Sequence, residues 1–191
     1  MRKGIKTLVS ALLASSLMFV LDGHAQTAKG ASASATEVKI GYLLPLSAEN
    51  APQGQQSKRA IDMAVEEING AGGIKALGGA KFKIIYADTQ SKPQVAVQEA
   101  ERLISQEKVD FLAGAYHSGV TLPASEVAER YKKVWWTPVS SDDSITDRAG
   151  FKYVFRLAEK TSMRIVAQLD FIEAMAKETK TPVKTFALVY E

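Results

Sequence analysis

Apolar and polar positions along the 191-residue chain switch repeatedly between two periods. Short apolar runs bounded by Pro, Gly or Asp predict buried strands, and apolar residues three and four apart predict amphipathic helices. The expected strands are Val38–Leu44, Phe82–Ala87, Val109–Ala113, Val134–Thr137 and Tyr153–Arg156. Between the first two, Ala60, Ile61, Ala64, Val65 and Ile68 share one helical stripe that stops at Asn69-Gly70, residues tolerant of a left-handed backbone. A second helix opens at Pro93, whose missing N–H costs nothing in a first turn, and buries Ala96, Ala100, Leu103 and Ile104. A third presents Val120, Ala124, Val127, Ala128 and Tyr131. After Arg156 a longer helix should bury Ile165, Leu169, Ile172 and Ala176, ahead of another strand over Thr185–Tyr190.

Alternation of this kind implies an α/β fold, a parallel sheet with helices on both faces in a three-layer αβα lobe. Such sheets take ligands at the carboxyl ends of their strands. The loops Pro45–Gly54, Asp88–Pro93, Gly114–Gly119 and Pro138–Gly150 are therefore where function is expected. The strand at 185–190 would need partners that the sequence up to Glu191 does not offer. The chain therefore reads as truncated.

The first residues follow another pattern. Met1–Lys6 is basic, Thr7–Leu21 is apolar, and Gly23-His24-Ala25 puts small residues where a signal peptidase reads. This describes a secretory signal peptide over residues 1–25, cut before Gln26. The run is shorter than the ~20 apolar residues of a membrane span. Residues 26–36, small and polar, read as a flexible leader. The chain has no cysteine, which excludes disulfides, thiolate metal sites, a catalytic thiol and a lipidated N-terminal anchor. The expected location is the periplasm, with no direct membrane anchoring.

Charge and chemistry narrow the function further. The formal charge is +3, but without the signal 21 basic residues face 20 acidic ones, which gives no footprint for nucleic acid. Gly70-Ala71-Gly72 resembles the start of a dinucleotide fingerprint, yet it follows a helix and Lys75 occupies the place of its third Gly. There is no Gly-Lys-Ser/Thr phosphate loop. Once the signal is gone His117 is the one histidine, so no multi-histidine metal site can form. A Ser-His-Asp triad would have to use it as base, with Ser118 poorly placed beside it. The expectation is a protein that is not an enzyme and uses no cofactor or metal.

The positive signal is the connection Gly114–Thr121, which leaves a strand end and enters a helix. Ser118 and Gly119 stand where a cap belongs, so a hydroxyl and free N–H groups converge there, an arrangement suited to a carboxylate. Ser118 could equally cap its own helix, and Thr121 could serve the helix start. Ser140, Ser141 and Ser144 in the next loop add hydroxyls, while Asp142, Asp143 or Ser144 could cap a short turn before Arg148. Tyr116 is expected in a pocket wall. Tyr42, Trp135 and Trp136 are expected in the core, and Glu66 and Glu67 on a solvated face.

These residues also resemble a known family. Ile40-Gly41-Tyr42-Leu43-Leu44-Pro45-Leu46-Ser47 is similar to the opening of the branched-chain amino-acid-binding proteins, the type I periplasmic binding proteins. Ala64–Asn69 with Gly72-Gly73-Ile74, Asp88–Pro93, Gly114–Ser125, Ile145-Thr146, Gly150-Phe151 and Phe155-Arg156 match the family in order and spacing. The resemblance implies two α/β lobes closing on a ligand, an N-terminal lobe over 37–156 and a second lobe only begun over 157–191. It also implies delivery of that ligand, an amino acid or similar small carboxylate, to an ABC transporter permease. It implies that Ser118 and the backbone beside it, at Gly119, hold the ligand carboxylate. It further implies that Val139 supplies a carbonyl and Ser141 a hydroxyl, and that Tyr116 lines the wall. His117 lies among these residues but is not a fixed family feature. Gln53 stands where some relatives place an aromatic residue over the ligand. The same scaffold serves binders of amides, urea or aromatic carboxylates, and a receptor's ligand-sensing domain is another alternative. A secreted hydrolase is opposed by the lone His117.

Overall fold

The computed structural model describes residues 36–185 and 187. The expected signal peptide, almost all of the leader and most of the strand over 185–190 lie outside the described residues. Five strands appear where apolar runs were read: β1 (Glu37–Leu44), β2 (Lys81–Asp88), β3 (Phe111–Gly114), β4 (Trp135–Thr137) and β5 (Val154–Arg156). The helices are α1 (Ala51–Gly70), α2 (Pro93–Ser105), α3 (Ser118–Arg130) and α4 (Thr161–Thr179). The strands form one sheet in the order β2-β1-β3-β4-β5, every neighbouring pair parallel.

The order reverses at β1. The β1–α1–β2 unit winds one way, and β2–α2–β3 crosses back over β1 to continue through β4 and β5. The loops leaving β1 and β3 therefore part at their carboxyl ends, which opens a crevice there. Side-chain alternation assigns the helices to faces. A methyl group on Gly41 would meet Leu103 of α2 and Leu112 of β3 at 3.0 Å. Tyr86, on the opposite face, donates from its hydroxyl to Asp62 of α1 at 2.7 Å. Thus α1 covers one face of the sheet, and α2 covers the other beside α3.

Burial is uneven between those faces. Leu43, Leu103, Leu112, Val127 and Trp135 are buried with Ala96, Ala100, Ala124 and Ala128 between the sheet, α2 and α3. Each of the large aliphatic side chains contributes roughly 1.5–3 kcal/mol by leaving water. On the α1 face Gly54 is the helix's one buried residue, and Met63 and Ile68 are exposed. Trp136, expected in the core, is 39% exposed, because β4 turns Trp135 inward and its neighbour outward. Phe155, in register with Trp136 on β5, is also exposed.

Three other expectations change. Helix α1 begins at Ala51, so Pro52, Gln53 and Gly54 are helical and the first loop is shorter than read. Gly54 is required there: a Cβ would stand 1.9 Å from the Pro45 carbonyl oxygen. Its helix ends at Gly70, but the left-handed residues are Gly72 and Gly73. Helix α4 forms, yet it has no buried side chain, and the Ile165–Leu169 stripe is exposed.

Candidate functional site

At the carboxyl end of β3 the chain must turn at once, and Gly114 does so with φ +112°, where a Cβ would lie 2.0 Å from the Leu43 carbonyl oxygen. Ala115 is buried, and the Tyr116 and His117 rings meet edge to face with centroids 5.4 Å apart. Helix α3 then starts one residue earlier than the cap expectation requires. His117 is its N-cap, in extended backbone, and no side chain caps it. The His117 carbonyl accepts from the N–H groups of Val120 at 3.1 Å and Thr121 at 2.8 Å. Ser118 and Gly119 are therefore the first two helical residues, and the reading of Ser118 as a cap is incorrect. Their own N–H groups meet no acceptor among the described residues. Free N–H groups and the positive end of the helix favour an anion at this point.

Behind them lies a buried hydroxyl pair that sequence reasoning did not single out. The Thr121 and Ser140 hydroxyl oxygens are 2.6 Å apart. Thr121 also reaches the carbonyls of Ala115 at 3.1 Å and His117 at 2.9 Å, while Ser140 donates toward those of Ala115 at 2.9 Å and Tyr116 at 3.1 Å. The pair locks the loop after β3 to the loop after β4. Alternation around Ser140 was the available signal, since it is buried between exposed Val139 and half-buried Ser141.

The loop after β4 runs alongside Ser118. The Asp142 N–H donates to the Ser118 hydroxyl oxygen at 3.3 Å. The Ser141 carbonyl accepts from the Thr161 N–H at 2.8 Å and from the Thr161 hydroxyl at 3.0 Å. That hydroxyl also lies 3.1 Å from the Ser141 hydroxyl. Asp142 caps the short 3-10 turn Asp143–Ile145 by accepting from the Ser144 N–H at 2.8 Å, as one of the local alternatives had it. Arg156, at the end of β5, donates to the Thr146 hydroxyl at 2.9 Å and the Asp142 carbonyl at 2.5 Å. The Ser162 hydroxyl and N–H hold the Asp143 carboxyl below the usual carboxylate range.

On the β1 side, Asp88 organises the neighbouring loops. Its carboxylate accepts from the N–H groups of Leu46 at 2.8 Å, Gln90 at 2.9 Å and Ser47 at 3.2 Å, and from the Ser47 hydroxyl at 2.5 Å. Burial pushes its pKa up, but the Ser47 hydroxyl and these backbone donors outweigh that and hold it low. Tyr42 is half-buried with its ring centroid 6.3 Å from that of Tyr86, and Glu66 and Glu67 are exposed as expected.

Tyr116 and His117, the first residues of α3 at Ser118 and Gly119, and Val139 and Ser141 of the loop after β4 thus all lie at the carboxyl ends of β3 and β4. Among the described residues, Asp142 bonds to Ser118 across these ends at the surface, and Ser140 bonds to the Ala115 and Tyr116 carbonyls behind. Val139 is 45% exposed. The His117 Nε2 and Arg156 Nη1 atoms are buried without a hydrogen-bond partner among the described residues. No group of three or more His, Cys, Asp or Glu side chains suited to a metal occurs among the described residues, and no described helix is long and apolar enough to cross a membrane.

Comparison with known proteins adds to this geometry. A family model described as periplasmic binding protein matches residues 37–191. An amino acid binding protein of Pseudomonas aeruginosa is 35% identical over 147 residues, which is 77% of this chain and 38% of that protein. Leu/Ile/Val-binding protein homolog 3 of Brucella melitensis is 31% identical over 153 residues, covering 80% of this chain and 40% of the relative. The chain therefore spans about two fifths of the length of these curated relatives. Among solved structures, the branched-chain amino acid transporter substrate binding protein LivJ from Streptococcus pneumoniae, in complex with isoleucine, superposes with a TM-score of 0.60 at 28% identity. The match covers 65% of this chain and 34% of that one.

Proposed function

Since the chain belongs to the periplasmic binding protein family, we propose that it captures an amino acid of the branched-chain type, or a similar small carboxylate, for an ABC importer. The observation that carries this is the start of α3. The free N–H groups of Ser118 and Gly119 and the Ser118 hydroxyl converge beside Ser141, at the carboxyl edge where parallel sheets bind ligands. Val139 offers its carbonyl to the ammonium group, and Tyr116 and His117 form the wall. The relatives' names, an amino acid binding protein and a Leu/Ile/Val-binding homolog, and the isoleucine complex support that ligand class.

In this reading residues 37–156 form one wall of the cleft, and residues 157–191 begin the lobe that supplies the other. The protein works by binding, without catalysis, in the periplasm after removal of residues 1–25. Closure of the lobes gives the form that the permease recognises.

Calorimetric titration tests the proposal. It compares the 191-residue chain with the same chain continued by the second lobe of the Pseudomonas aeruginosa relative. L-leucine, L-isoleucine and L-valine should bind the extended protein tightly and the 191-residue chain weakly. Leucinamide, which lacks the carboxylate, should bind far less well than leucine. Equal affinity for leucine and leucinamide would remove the carboxylate from the site.

A further inference from the structure

The hydrogen bonds and ion pairs that tie α4 to the rest of the lobe are concentrated at its start. Thr161 bonds to Ser141, Ser162 to Asp143, and Lys160, the N-cap, to Asp147. Among the described residues, the other hydrogen bonds of α4 stay within the helix and its flanks, and none of its side chains is buried. Among the described residues the helix therefore meets the lobe around its first turn, and Thr161 meets it at the peptide group between Ser141 and Asp142. The carbonyl of this peptide accepts twice from Thr161, at 2.8 and 3.0 Å, and its N–H donates to the Ser118 hydroxyl oxygen at 3.3 Å.

This order of donors has a chemical consequence. A hydroxyl has two acceptor lone pairs and one proton. The Asp142 N–H occupies a lone pair of Ser118, and the proton of Ser118 meets no acceptor among the described residues. It is free to turn toward an incoming anion. Donation to a peptide carbonyl makes the N–H of the same peptide a stronger donor, because linked hydrogen bonds polarise one another. Thr161 also sits at the positive end of a 19-residue helix.

We propose that Thr161 is a positioning residue for the ligand carboxylate, acting through the Ser141–Asp142 peptide on the Ser118 hydroxyl. It rests on the reading of Ser118 as a carboxylate ligand, and adds to it a residue that makes α4 sense occupancy of the site. When a carboxylate takes the Ser118 proton, the polarised chain strengthens as far as Thr161. The first turn of α4 is then gripped more firmly than in the free protein.

Amide NMR of the 191-residue chain separates this from a local structural contact. Thr161→Val removes the hydroxyl and keeps the backbone N–H, and Thr161→Ser restores a hydroxyl. The Asp142 amide proton should move upfield in Thr161→Val and return in Thr161→Ser, with the amides of β1, β3 and α3 beyond its first turn unchanged. In a Ser118→Ala background the Asp142 amide should lose part of its response to Thr161→Val, because the far end of the chain is missing. An Asp142 amide indifferent to Thr161→Val, or a serine variant that behaves like valine, overturns the proposal. Adding L-leucine should shift Ser118, Asp142 and Thr161 together in the native chain, and Ser118 without Thr161 in Thr161→Val. Leucine that shifts Ser118 while leaving Thr161 unmoved in the native chain also overturns it. Leucine that shifts none of the three at any concentration, with the ligand-free signature present, counts against the carboxylate reading of Ser118 instead.

Discussion

The hydroxyl oxygens of Thr121 and Ser140 stand 2.6 Å apart, both residues buried, where the first turn of α3 meets the loop leaving β4. Two protons are shared there among each other's oxygens and the carbonyls of Ala115, Tyr116 and His117. Removing one hydroxyl takes a buried hydrogen-bond partner from the other. Ser140→Ala and Thr121→Val should each cost about 1–3 kcal/mol. The double variant should cost less than the sum, because the two hydroxyls share one network. Urea unfolding of the four proteins measures this, and strict additivity would show that the hydroxyls act independently.

Ser118 is expected to show the reverse pattern. It caps nothing, and its one bond to Asp142 is long and at the surface. Ser118→Ala should leave the ligand-free melting temperature nearly unchanged. In the protein extended by its second lobe it should weaken leucine binding tenfold to hundredfold, for a lost bond to a charged group of about 1.5–3 kcal/mol. Calorimetry and thermal melting on one variant check both halves. A lower melting temperature with unaltered affinity would return Ser118 to a structural role.

Asp88 gives the lobe an acid-sensitive joint. Its folded pKa is depressed, since the Ser47 hydroxyl and three backbone donors outweigh burial. A depressed carboxylate stabilises the fold fully above the ordinary carboxylate range, near pH 4. That stability is lost as pH falls through the folded value. Asp88→Asn should lower the melting temperature at pH 7 and flatten its decline on acidification. Melting curves from pH 7 to pH 3 decide the point. Parallel declines in both proteins would assign the acid sensitivity to other groups.

Gly114 tolerates no side chain. Alanine there would combine φ +112° with a methyl carbon 2.0 Å from the Leu43 carbonyl oxygen. Strain and overlap together should cost on the order of 4 kcal/mol or more. Gly114→Ala should thus give a chain with weakened or lost cooperative unfolding by circular dichroism. Gly119→Ala, which meets nothing within 4 Å, should fold normally and serves as the control.

The strands were legible because a strand buried on both faces needs an unbroken apolar run, and Gly41-Tyr42-Leu43-Leu44 and Phe111-Leu112-Ala113 supply one. The pair Trp135-Trp136 shows where such reading stops. Alternation says that the two side chains face opposite ways, but which face is covered depends on helices elsewhere in the chain. The start of α1 was hidden by Gln53, Gln55 and Gln56, polar residues on an exposed turn that carry no apolar stripe. Ser118 was read at the right loop but one position out of register with the helix. An N-cap is defined by backbone dihedrals, and His117, with none of the usual capping chemistry, holds that place. Thr161 left no trace in the sequence, because its contact with Ser141 spans 20 positions and depends on where β5 delivers the chain.

The whole buried cluster between the sheet, α2 and α3 is drawn from Leu43 to Trp135, a single uninterrupted stretch. A polypeptide appears amino end first, during synthesis or while it is threaded across a membrane. Once Trp135 has emerged, every buried side chain of that cluster is present, and Ser140 and β5, with Val154 packed against the cluster, complete the lobe soon after. Helix α4 joins afterwards through its first turn, and its arrival requires no rearrangement of what has already packed. The order of residues in the chain is therefore also a timetable, in which the half of the site carrying Ser118 is finished before the residues that clamp Ser141 appear.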